Sequence, residues 1–264
     1  MTMKTAVVNQ KGGVGKTATT INVGGALAEL GRQVLLIDLD PQGHLTDATG
    51  KPASSGEATL PAALTGAWDG PAEQLVVEHS RVLDVGGQPG RLALIPNALE
   101  MFTVARELDK LRAREHRLQR FVAGLASTWD HVLFDCPPSL DILTDNALTA
   151  ADGVLVPVQA EDSSLKALRL LLAQVEAVDA DLRDVPLQLH GLVVSLLRRP
   201  PTMLARSVLD AFEAMPLPVL ATVPQAVVVT EAWRLGQTIP AYAPESEHAE
   251  AYRTLAKVID GAAA

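Results

Sequence analysis

Cysteine and long apolar runs are both scarce in this chain of 264 residues. Its single cysteine, Cys136, cannot form an internal disulfide, and no signal-peptide pattern opens the sequence, so a cytoplasmic protein is expected. No apolar run reaches the roughly 18 residues that a membrane-spanning helix requires. The sequence therefore argues against a secreted, disulfide-stabilised protein and against an integral membrane protein.

Positive charge is in short supply as well. The formal net charge is -9, with 22 Lys and Arg residues against 31 Asp and Glu residues. This balance excludes a protein whose whole surface attracts nucleic acid, although a local basic patch is compatible with an acidic body. The net charge alone does not identify the class of binding partner.

The abundant residues are aliphatic. Hydrophobic residues make up 48% of the chain and aromatic residues only 3%, so the core must consist of Leu, Val, Ile and Ala, as it does around buried parallel sheets. Several apolar runs are continuous rather than alternating, which is typical of strands covered on both faces. The predicted strands are residues 5–9, 34–38, 92–96, 131–135, 153–157, 191–195 and 219–223.

Helical stretches separate these strands. The sequence predicts helices over residues 17–30, 99–126, 164–178 and 247–259. The repeated β-α order indicates an α/β fold with a doubly wound, mainly parallel β-sheet that is flanked by helices on both faces. We expect a single domain over residues 1–264, because no linker divides the chain, with residues 51–91 as an irregular surface excursion.

A glycine-rich segment follows the first predicted strand and leads directly into a helix. Its sequence, QKGGVGKT over residues 10–17, is typical of a P-loop, in which backbone N–H groups and the helix N-terminus surround phosphate oxygens. Lys16 is expected to reach the β and γ phosphates of ATP, and the Thr17 hydroxyl to ligate Mg²⁺. The residues predicted to line the nucleotide are Gly12, Gly13, Val14, Gly15, Lys16, Thr17 and Ala18.

The loop departs from the standard pattern G-x-x-x-x-G-K-[ST] at its first position. Gln10 occupies the place of the first glycine, and a second lysine, Lys11, follows it. The ammonium group of Lys11 adds a positive charge to the loop. This charge can contact a phosphate that the backbone of the loop itself does not surround. A phosphate bound by a neighbouring subunit is one such target.

Carboxylates at the ends of two other predicted strands fit the same chemistry. Asp38 and Asp40 lie at the end of one strand, and Asp135 lies at the end of another. Open α/β sheets bind their ligands at the carboxyl ends of the strands. A carboxylate at that edge can hold Mg²⁺ directly or through water, which is the Walker B role expected of Asp135.

In their order and spacing, the motifs KGGVGKT, LLIDLDPQGHLT and FDCPPS resemble those of the ParA/Soj/MinD family of deviant Walker ATPases. Residues 152–161 and 223–257 are similar to ParA-type partition proteins in particular. The resemblance extends over most of the chain apart from about residues 51–91.

The resemblance implies roles for individual residues. Lys11 is the signature lysine that reaches across a nucleotide-sandwich dimer, and it forms a catalytic set with Lys16 and with Asp40, which positions the attacking water. The adenine is held by residues 223–225, which include Pro224. The residues expected to support Mg²⁺ are Thr17, Asp38 and Asp135.

The resemblance also implies a cellular role. In this family ATP drives formation of a homodimer, the dimer binds DNA without sequence preference, and a centromere-binding ParB-type partner stimulates slow hydrolysis. The protein is therefore expected to be a cytoplasmic, nucleoid-associated ATPase of chromosome or plasmid partition, with ATP and Mg²⁺ as its ligands and no membrane partner.

Residues 225–229 depart from the family pattern. Relatives often carry arginines there that help to grip DNA, whereas this chain has Gln-Ala-Val-Val-Val. Other basic residues can contact phosphates if the fold gathers them on one face, and the alternative is a set of scattered, solvated side chains. The predicted DNA contacts are Arg198, Arg199, Arg206 and Arg234, with Arg253 and Lys257 as further candidates.

Two residues beside the motifs are expected to have structural roles. Cys136 is predicted to be a small buried residue rather than a nucleophile. His44 is predicted to be a loop residue rather than a catalytic base, because Asp40 and Mg²⁺ already supply the groups that position water.

Three other functions use similar nucleotide motifs. A MinD-like membrane ATPase needs a basic amphipathic C-terminal helix, whereas Tyr252, Leu255, Val258 and Ile259 form an apolar face with few cations nearby, as in a helix docked on its domain. Iron-protein reductases and arsenite-pump ATPases need more cysteines than this chain has. A ParA-like ATPase that positions a carboxysome, a chemoreceptor array or cellulose-synthesis machinery is the main rival.

Overall fold

The computed structural model describes residues 2–83, 89–125 and 128–262. In this part of the chain, eight strands form one sheet in the order β3-β4-β2-β5-β1-β6-β7-β8. The strands are β1 (Met3–Val7), β2 (Gln33–Asp38), β3 (Val77–Leu83), β4 (Pro89–Ile95), β5 (His131–Asp135), β6 (Gly153–Val158), β7 (Gln188–Leu197) and β8 (Val219–Pro224).

Helices connect most of these strands. The α-helices are α1 (Lys16–Glu29), α2 (His44–Ala48), α3 (Leu60–Thr65), α4 (Met101–Leu108), α5 (Arg117–Ala123), α6 (Ile142–Ala150), α7 (Asp162–Leu182), α8 (Met203–Glu213), α9 (Val227–Arg234), α10 (Ile239–Tyr242) and α11 (Glu247–Ala262). Short 3-10 helices cover Ala72–Leu75 and Arg114–His116.

Neighbouring strands of the sheet run parallel except at one edge, where β3 pairs antiparallel with β4. The central strands β1, β2, β5 and β6 are buried along nearly their whole length. Burial on both faces explains why their sequences are continuously apolar. The predicted doubly wound, mainly parallel α/β fold is confirmed.

Side chains on opposite faces of the sheet enter two separate hydrophobic clusters. Alternate residues of a strand point to opposite faces. Ala6 and Ile37 accordingly join a cluster with α3 to α8, whereas Val7 and Leu36 join a cluster with α1 and α11. The helices thus cover both faces of the sheet, and the carboxyl ends of the strands remain available for a binding site.

Helix α1 lies close against the sheet. A Cβ atom at Gly24 would come within 2.8 Å of Leu36 Cδ2 and 3.1 Å of Leu92 Cδ1. The missing side chain therefore allows the helix to pack directly on β2 and β4. This packing holds the N-terminus of α1 beside the carboxyl ends of the central strands.

The prediction of an irregular excursion over residues 51–91 is wrong for much of that segment. It contains α3, a 3-10 helix, the whole of β3 and the first residues of β4, and its residues 84–88 lie outside the described part of the chain. β3 has the sequence VEHSRVL, which lacks the continuous apolar run of the central strands. In the described sheet β3 is an edge strand, and charged side chains are common on edge strands because they discourage pairing with another chain.

The single helix predicted over residues 99–126 is also wrong. Helix α4 ends at Leu108 and α5 begins at Arg117, with a turn and a 3-10 helix between them. Ala113 has a φ of 48°, in the left-handed region, which interrupts the helix. Leu108 and Leu118 both enter the same core cluster, so two separate short helices fill it. The last residue of the predicted helix lies outside the described residues.

The other predicted elements are confirmed, with shifts at their ends. The strand over residues 131–135 agrees at both ends, and the strand predicted over residues 191–195 extends to Gln188–Leu197. The first strand is Met3–Val7 rather than residues 5–9, because the chain beyond it already turns into the glycine-rich loop.

The C-terminal helix α11 docks on the domain, as predicted. Tyr252, Leu255 and Ile259 are buried in the cluster that contains α1. Val258, which was expected on the same face, is 36% exposed, and Ala256 is buried instead. Within the described residues, no helix combines the length and apolar character needed to cross a membrane.

Candidate nucleotide site

The loop between β1 and α1 depends on glycine for its conformation. Gly13 and Gly15 have φ values of 73° and 84°, in the left-handed region that favours glycine. Gly15 is the N-cap of α1, and its carbonyl accepts a hydrogen bond from Thr19 N at 2.8 Å. A Cβ atom at Gly15 would also come within 3.2 Å of Ser195 Oγ. A larger residue would therefore strain the backbone and crowd β7.

Side chains at the carboxyl ends of three strands hold this loop. The Asn9 carboxamide oxygen, just after β1, accepts a hydrogen bond at 2.9 Å from the backbone N–H two residues later. Gln159 Nε2, just after β6, donates to Gly13 O at 3.1 Å. Ser195 Oγ, on β7, donates to Val14 O. These bonds fix the loop in one conformation at the edge of the sheet.

The two lysines of the loop lie in different surroundings. Lys16 is buried, and its Nζ donates to Lys11 O at 3.1 Å. Burial lowers the pKa of Lys16, and the nearby Asp135 acts in the opposite direction. Lys11 Nζ instead forms an ion pair with Glu161 and donates to Ser163 Oγ at 2.9 Å. One ammonium group therefore belongs to the loop, and the other lies beside the start of α7.

Asp135 connects the end of β5 with the first turns of α1. Its Oδ2 accepts a hydrogen bond from Thr17 Oγ1 at 2.8 Å, and its Oδ1 accepts one from Thr20 Oγ1 at 3.1 Å. The carboxyl group is fully buried. Burial, reinforced by the neighbouring Asp38, raises the pKa of Asp135 to about 8.

Asp38 lies directly opposite Asp135 in the parallel register of β2 and β5. Its Oδ2 accepts hydrogen bonds from Thr46 N at 2.8 Å and from Thr46 Oγ1 at 2.6 Å. Burial raises the pKa of Asp38 to about 7, although the bonds from Thr46 act in the opposite direction. Helix α2 thus supplies the partners of a buried carboxyl group.

Asp40 lies two residues beyond the end of β2 and is 6% exposed. Its Oδ1 accepts a hydrogen bond from Gln42 N at 3.0 Å, and its carbonyl accepts one from Asn97 Nδ2. The backbone N–H of Asn97 donates to Thr46 Oγ1 at 2.8 Å. Thr46 and Asn97 therefore link Asp40 to Asp38 through one buried network.

The oxygen atoms at this edge fit Mg²⁺ chemically. Thr17, Asp38 and Asp135 offer hydroxyl and carboxylate oxygens, which hard cations prefer. Two buried carboxyl groups with raised pKa values on adjacent strands would ionise more readily beside a divalent cation. Among the described residues, no group of three or more His, Cys, Asp or Glu side chains could hold a metal ion. Phosphate and water oxygens would complete the coordination, as they usually do for Mg²⁺.

Sequence reasoning assigned no role to several residues of this network. They are polar side chains from two helices, one strand and one loop, namely Thr20, Thr46, Ser195 and Asn97. Asn97 follows β4 and Ser195 lies near the end of β7, so a polar residue at a strand's carboxyl end was the available signal. Thr46 and Thr20 lie on helices, and only the packing of those helices brings them to the carboxylates.

Replacing Thr46 with valine is expected to slow nucleotide hydrolysis while leaving nucleotide binding in place. Valine keeps the shape of threonine but removes the hydroxyl that donates to Asp38 and accepts from Asn97. A buried hydrogen bond to a charged group is worth enough to predict about a tenfold loss of turnover. Steady-state hydrolysis and nucleotide affinity should be measured on the same sample.

Thr46→Ser is the matched control, because serine retains the hydroxyl. It should recover most of the turnover that valine loses. Equal turnover in the wild-type, valine and serine proteins would refute a positioning role for Thr46.

The predicted DNA contacts differ in their surroundings. Arg199 Nη1 forms an ion pair with Glu247 at 2.5 Å, and Arg253 forms one with Glu29 at 2.8 Å. Arg253 therefore fastens α11 to α1 and is a poor candidate for contact with a ligand. The exposed candidates without an ion pair to a described residue are Arg198, Arg206, Arg234 and Lys257.

Three other predicted residues lie around the same edge of the sheet. Pro224 ends β8, and its carbonyl lies 3.0 Å from His248 Nε2. Cys136 is buried, as predicted, and burial raises the pKa of its thiol. His44 begins α2 rather than lying in a loop, and its exposed ring contacts Trp233 edge to face with 6.4 Å between ring centroids.

Comparison with known proteins identifies the family. The family model described as an AAA domain matches residues 2–186. The chain is 41% identical over 262 residues to the chromosome-partitioning ATPase Soj of Thermus thermophilus, covering 96% of this chain and 94% of that protein. It is 35% identical over 257 residues to the chromosome partitioning protein ParA of Caulobacter vibrioides, covering 96% and 92%.

A solved structure also aligns over nearly the whole chain. It is that of a cobyrinic acid a,c-diamide synthase from Mycobacterium smegmatis with bound ADP and magnesium. The TM-score is 0.80 at 34% identity, and the alignment covers 97% of this chain and 93% of that one. The matched domain and the two full-length relatives lead to one assignment: the chain belongs to the ParA/Soj family of partition ATPases.

Proposed function

We propose that the protein is a Mg²⁺-dependent ATPase that dimerises on binding ATP, binds DNA without sequence preference and drives chromosome or plasmid partition with a ParB-type partner. Relatives of nearly the same length carry the names of chromosome-partitioning proteins. A structurally similar protein holds ADP and magnesium. The proposal comprises nucleotide binding, dimerisation and DNA binding, and each rests on different residues.

For nucleotide binding, the loop backbone over residues 12–18 surrounds the phosphates and Lys16 neutralises them. The adenine lies near Pro224, at the same edge of the sheet. Bound Mg²⁺, held by residues that include Thr17, would neutralise charge on the phosphate oxygens. Asp40 orients the attacking water. Phosphoryl transfer of this kind requires positioning and charge neutralisation, with little covalent chemistry by the protein.

The observation that carries the proposed dimer is the position of Lys11. Its ammonium group lies at the surface against Glu161 and Ser163, although its backbone belongs to the phosphate loop. A lysine with 23% of its side chain exposed at the rim of a nucleotide site can exchange an internal carboxylate for phosphates bound by a second subunit. We therefore propose that the dimer replaces the Lys11–Glu161 ion pair with a contact between Lys11 and the nucleotide of the partner.

Retention on nonspecific duplex DNA tests the partition role. We expect ATP to produce binding that weakens steeply as salt increases, because phosphate contacts release counterions. Replacing Arg198, Arg206 and Arg234 together with alanine should weaken binding and lower the salt slope by about one for each arginine that touches a phosphate. The measurement is a salt series of retained protein with ATP, with ADP and without nucleotide.

Arg112→Ala is a matched control, because Arg112 is exposed and lies outside the segments that carry the predicted contacts. It removes one exposed positive charge, against three in the test variant, and should leave the salt slope unchanged. If ATP produces no salt-sensitive retention, the DNA part of the proposal fails. Positioning of another cargo, such as a carboxysome or a chemoreceptor array, then becomes the better account of the same ATPase.

Docking of α11 argues against the membrane alternative. A membrane-binding helix needs a free apolar face and a basic polar face. The apolar residues Tyr252, Leu255 and Ile259 are buried against the domain, and Arg253 is paired with Glu29. The described part of α11 therefore has its apolar side engaged within the chain.

A further inference from the structure

A cavity of about 590 Å³ lies between α5 and the segment that follows α3. Its volume falls within the range of small-molecule sites, roughly 300 to 1,000 Å³. Its lining residues lie between positions 63 and 72 and between positions 117 and 124, so none belongs to the nucleotide loop or to the strand ends around it. We call it the α3–α5 cavity.

Two arginines supply positive charge to the α3–α5 cavity. Arg117 and Arg120 are three residues apart on α5, so their side chains project from the same side of the helix. Neither forms an ion pair with a described residue. Asp69 is the acidic residue among the described lining, so two positive charges face one negative charge.

Arg117 also carries an unsatisfied donor. Its Nε atom is buried and has no hydrogen-bond partner among the described residues. Buried donors without acceptors are rare and unfavourable in folded proteins. The guanidinium of Arg117 is therefore not committed to an acceptor at Nε within the described part of the chain.

Aromatic rings supply the apolar part of the lining. Trp68 and Phe121 both line the cavity, and both pack partly against the hydrophobic core, which fixes their positions. Rigid aromatic side chains favour flat ligands that stack on them. The lining therefore combines a flat apolar surface with two guanidinium groups.

A second cavity, also of about 590 Å³, shares Trp68 and Asp69 with the first. Its further lining includes Glu57, Glu100 and Glu107, so its charge is negative. The two cavities have the same size and share an aromatic side chain but differ in charge. An anionic group is therefore favoured in the first cavity and disfavoured in the second.

From these observations we propose that the α3–α5 cavity binds a small molecule that carries an anionic group, such as a carboxylate or a phosphate, on a flat apolar body. The anionic group lies between Arg117 and Arg120, and the flat body lies against Trp68. The site is separate from the nucleotide loop, and the proposal does not depend on DNA binding or on partition.

The test compares two fluorescent probes of nearly the same shape. One is the anion 8-anilinonaphthalene-1-sulfonate, and the other is the neutral N-phenyl-1-naphthylamine. The full chain should bind one equivalent of the sulfonate with energy transfer from Trp68, and Mg²⁺ with ADP should not displace it. The neutral probe should bind at least about tenfold more weakly, because it lacks the charged hydrogen bonds.

Variants separate recognition of the anion from nonspecific apolar binding. The double variant Arg117→Gln, Arg120→Gln should weaken binding of the sulfonate at least about tenfold and leave binding of the neutral probe unchanged. Trp68→Phe should lower energy transfer to the bound probe, with Trp129 and Trp233 remaining as donors. Arg112→Gln, which makes the same type of substitution once at an exposed position outside the cavity, should change neither affinity.

A purely structural role for the arginines gives a different pattern. Arg117 Nη2 lies 3.5 Å from where a Cβ atom of Gly66 would be, near the end of α3, so the guanidinium could serve only to stabilise that helix end. The double variant would then lower the melting temperature without altering the ratio of the two probe affinities. That result would overturn the proposal. Equal binding of both probes by the wild-type chain, or displacement of the sulfonate by ADP, would also overturn it.

Discussion

Lys16→Ala is expected to abolish ATP binding. Lys16 is buried within the loop, where its Nζ already donates to Lys11 O, and burial lowers its pKa because the ammonium group has little water around it. An anionic phosphate would give the buried ammonium group a charged hydrogen-bond acceptor in place of the water that burial excludes. Loss of these charged hydrogen bonds predicts a drop in affinity of about a hundredfold or more. Equilibrium titration with a fluorescent ATP analogue measures it.

Lys11→Ala is the matched control for this prediction. It removes a lysine from the same loop, but one that lies at the surface against Glu161. We expect this variant to bind ATP and to fail to dimerise. Wild-type affinity in Lys16→Ala would refute the assignment of the loop, and a normal ATP-dependent dimer in Lys11→Ala would refute the role proposed for Lys11.

Asp40→Ala is expected to bind ATP but to stop hydrolysis, so that an ATP-bound dimer accumulates. Asp40 lies at the carboxyl end of β2, and its backbone is held by Asn97 and by the network of Thr46. A side chain that orients or activates water contributes about a hundredfold or more to the rate. Phosphate release and the fraction of dimer in size-exclusion chromatography with ATP are the two measurements.

Asp47→Ala is a suitable control, because Asp47 is an exposed carboxylate on the neighbouring helix α2. Its turnover should match that of the wild-type protein. If Asp40→Ala hydrolyses ATP at the wild-type rate, Asp40 does not position the water. If it fails to bind ATP, the loss of turnover reflects a damaged site rather than a missing catalytic group.

The central part of the fold could be predicted because the local sequence patterns of its strands agree with their burial in the structure. The strand over residues 131–135 is apolar at three successive positions and ends in Asp135, and it is buried on both faces in the structure. The glycine-rich loop combines glycines, Lys16 and Thr17 at a fixed spacing between a strand and a helix. At both places the local sequence pattern is typical of a single structural environment, so the pattern alone predicts the structure.

The edge of the fold could not be predicted in the same way. Strand β3 lies at the edge of the sheet, where charged and polar side chains are common, so its sequence resembles that of a loop. The break between α4 and α5 depends on the left-handed conformation of Ala113, a residue that favours helices. Tertiary packing overrides local propensity at both places.

The sequence by itself determined the α/β class and the residues that meet at the carboxyl edge of the sheet. Parallel strands end at one edge, so residues that follow different strands must converge there, and Lys16, Asp38, Asp40 and Asp135 do.

Only the tertiary structure decided which partners these groups have. Helix packing brings Thr46 to Asp38 and Thr20 to Asp135, and it sets Lys11 against Glu161. It also forms the α3–α5 cavity from two segments that lie about fifty residues apart. Such contacts depend on the directions in which packed helices point their side chains, and spacing along the chain does not specify those directions.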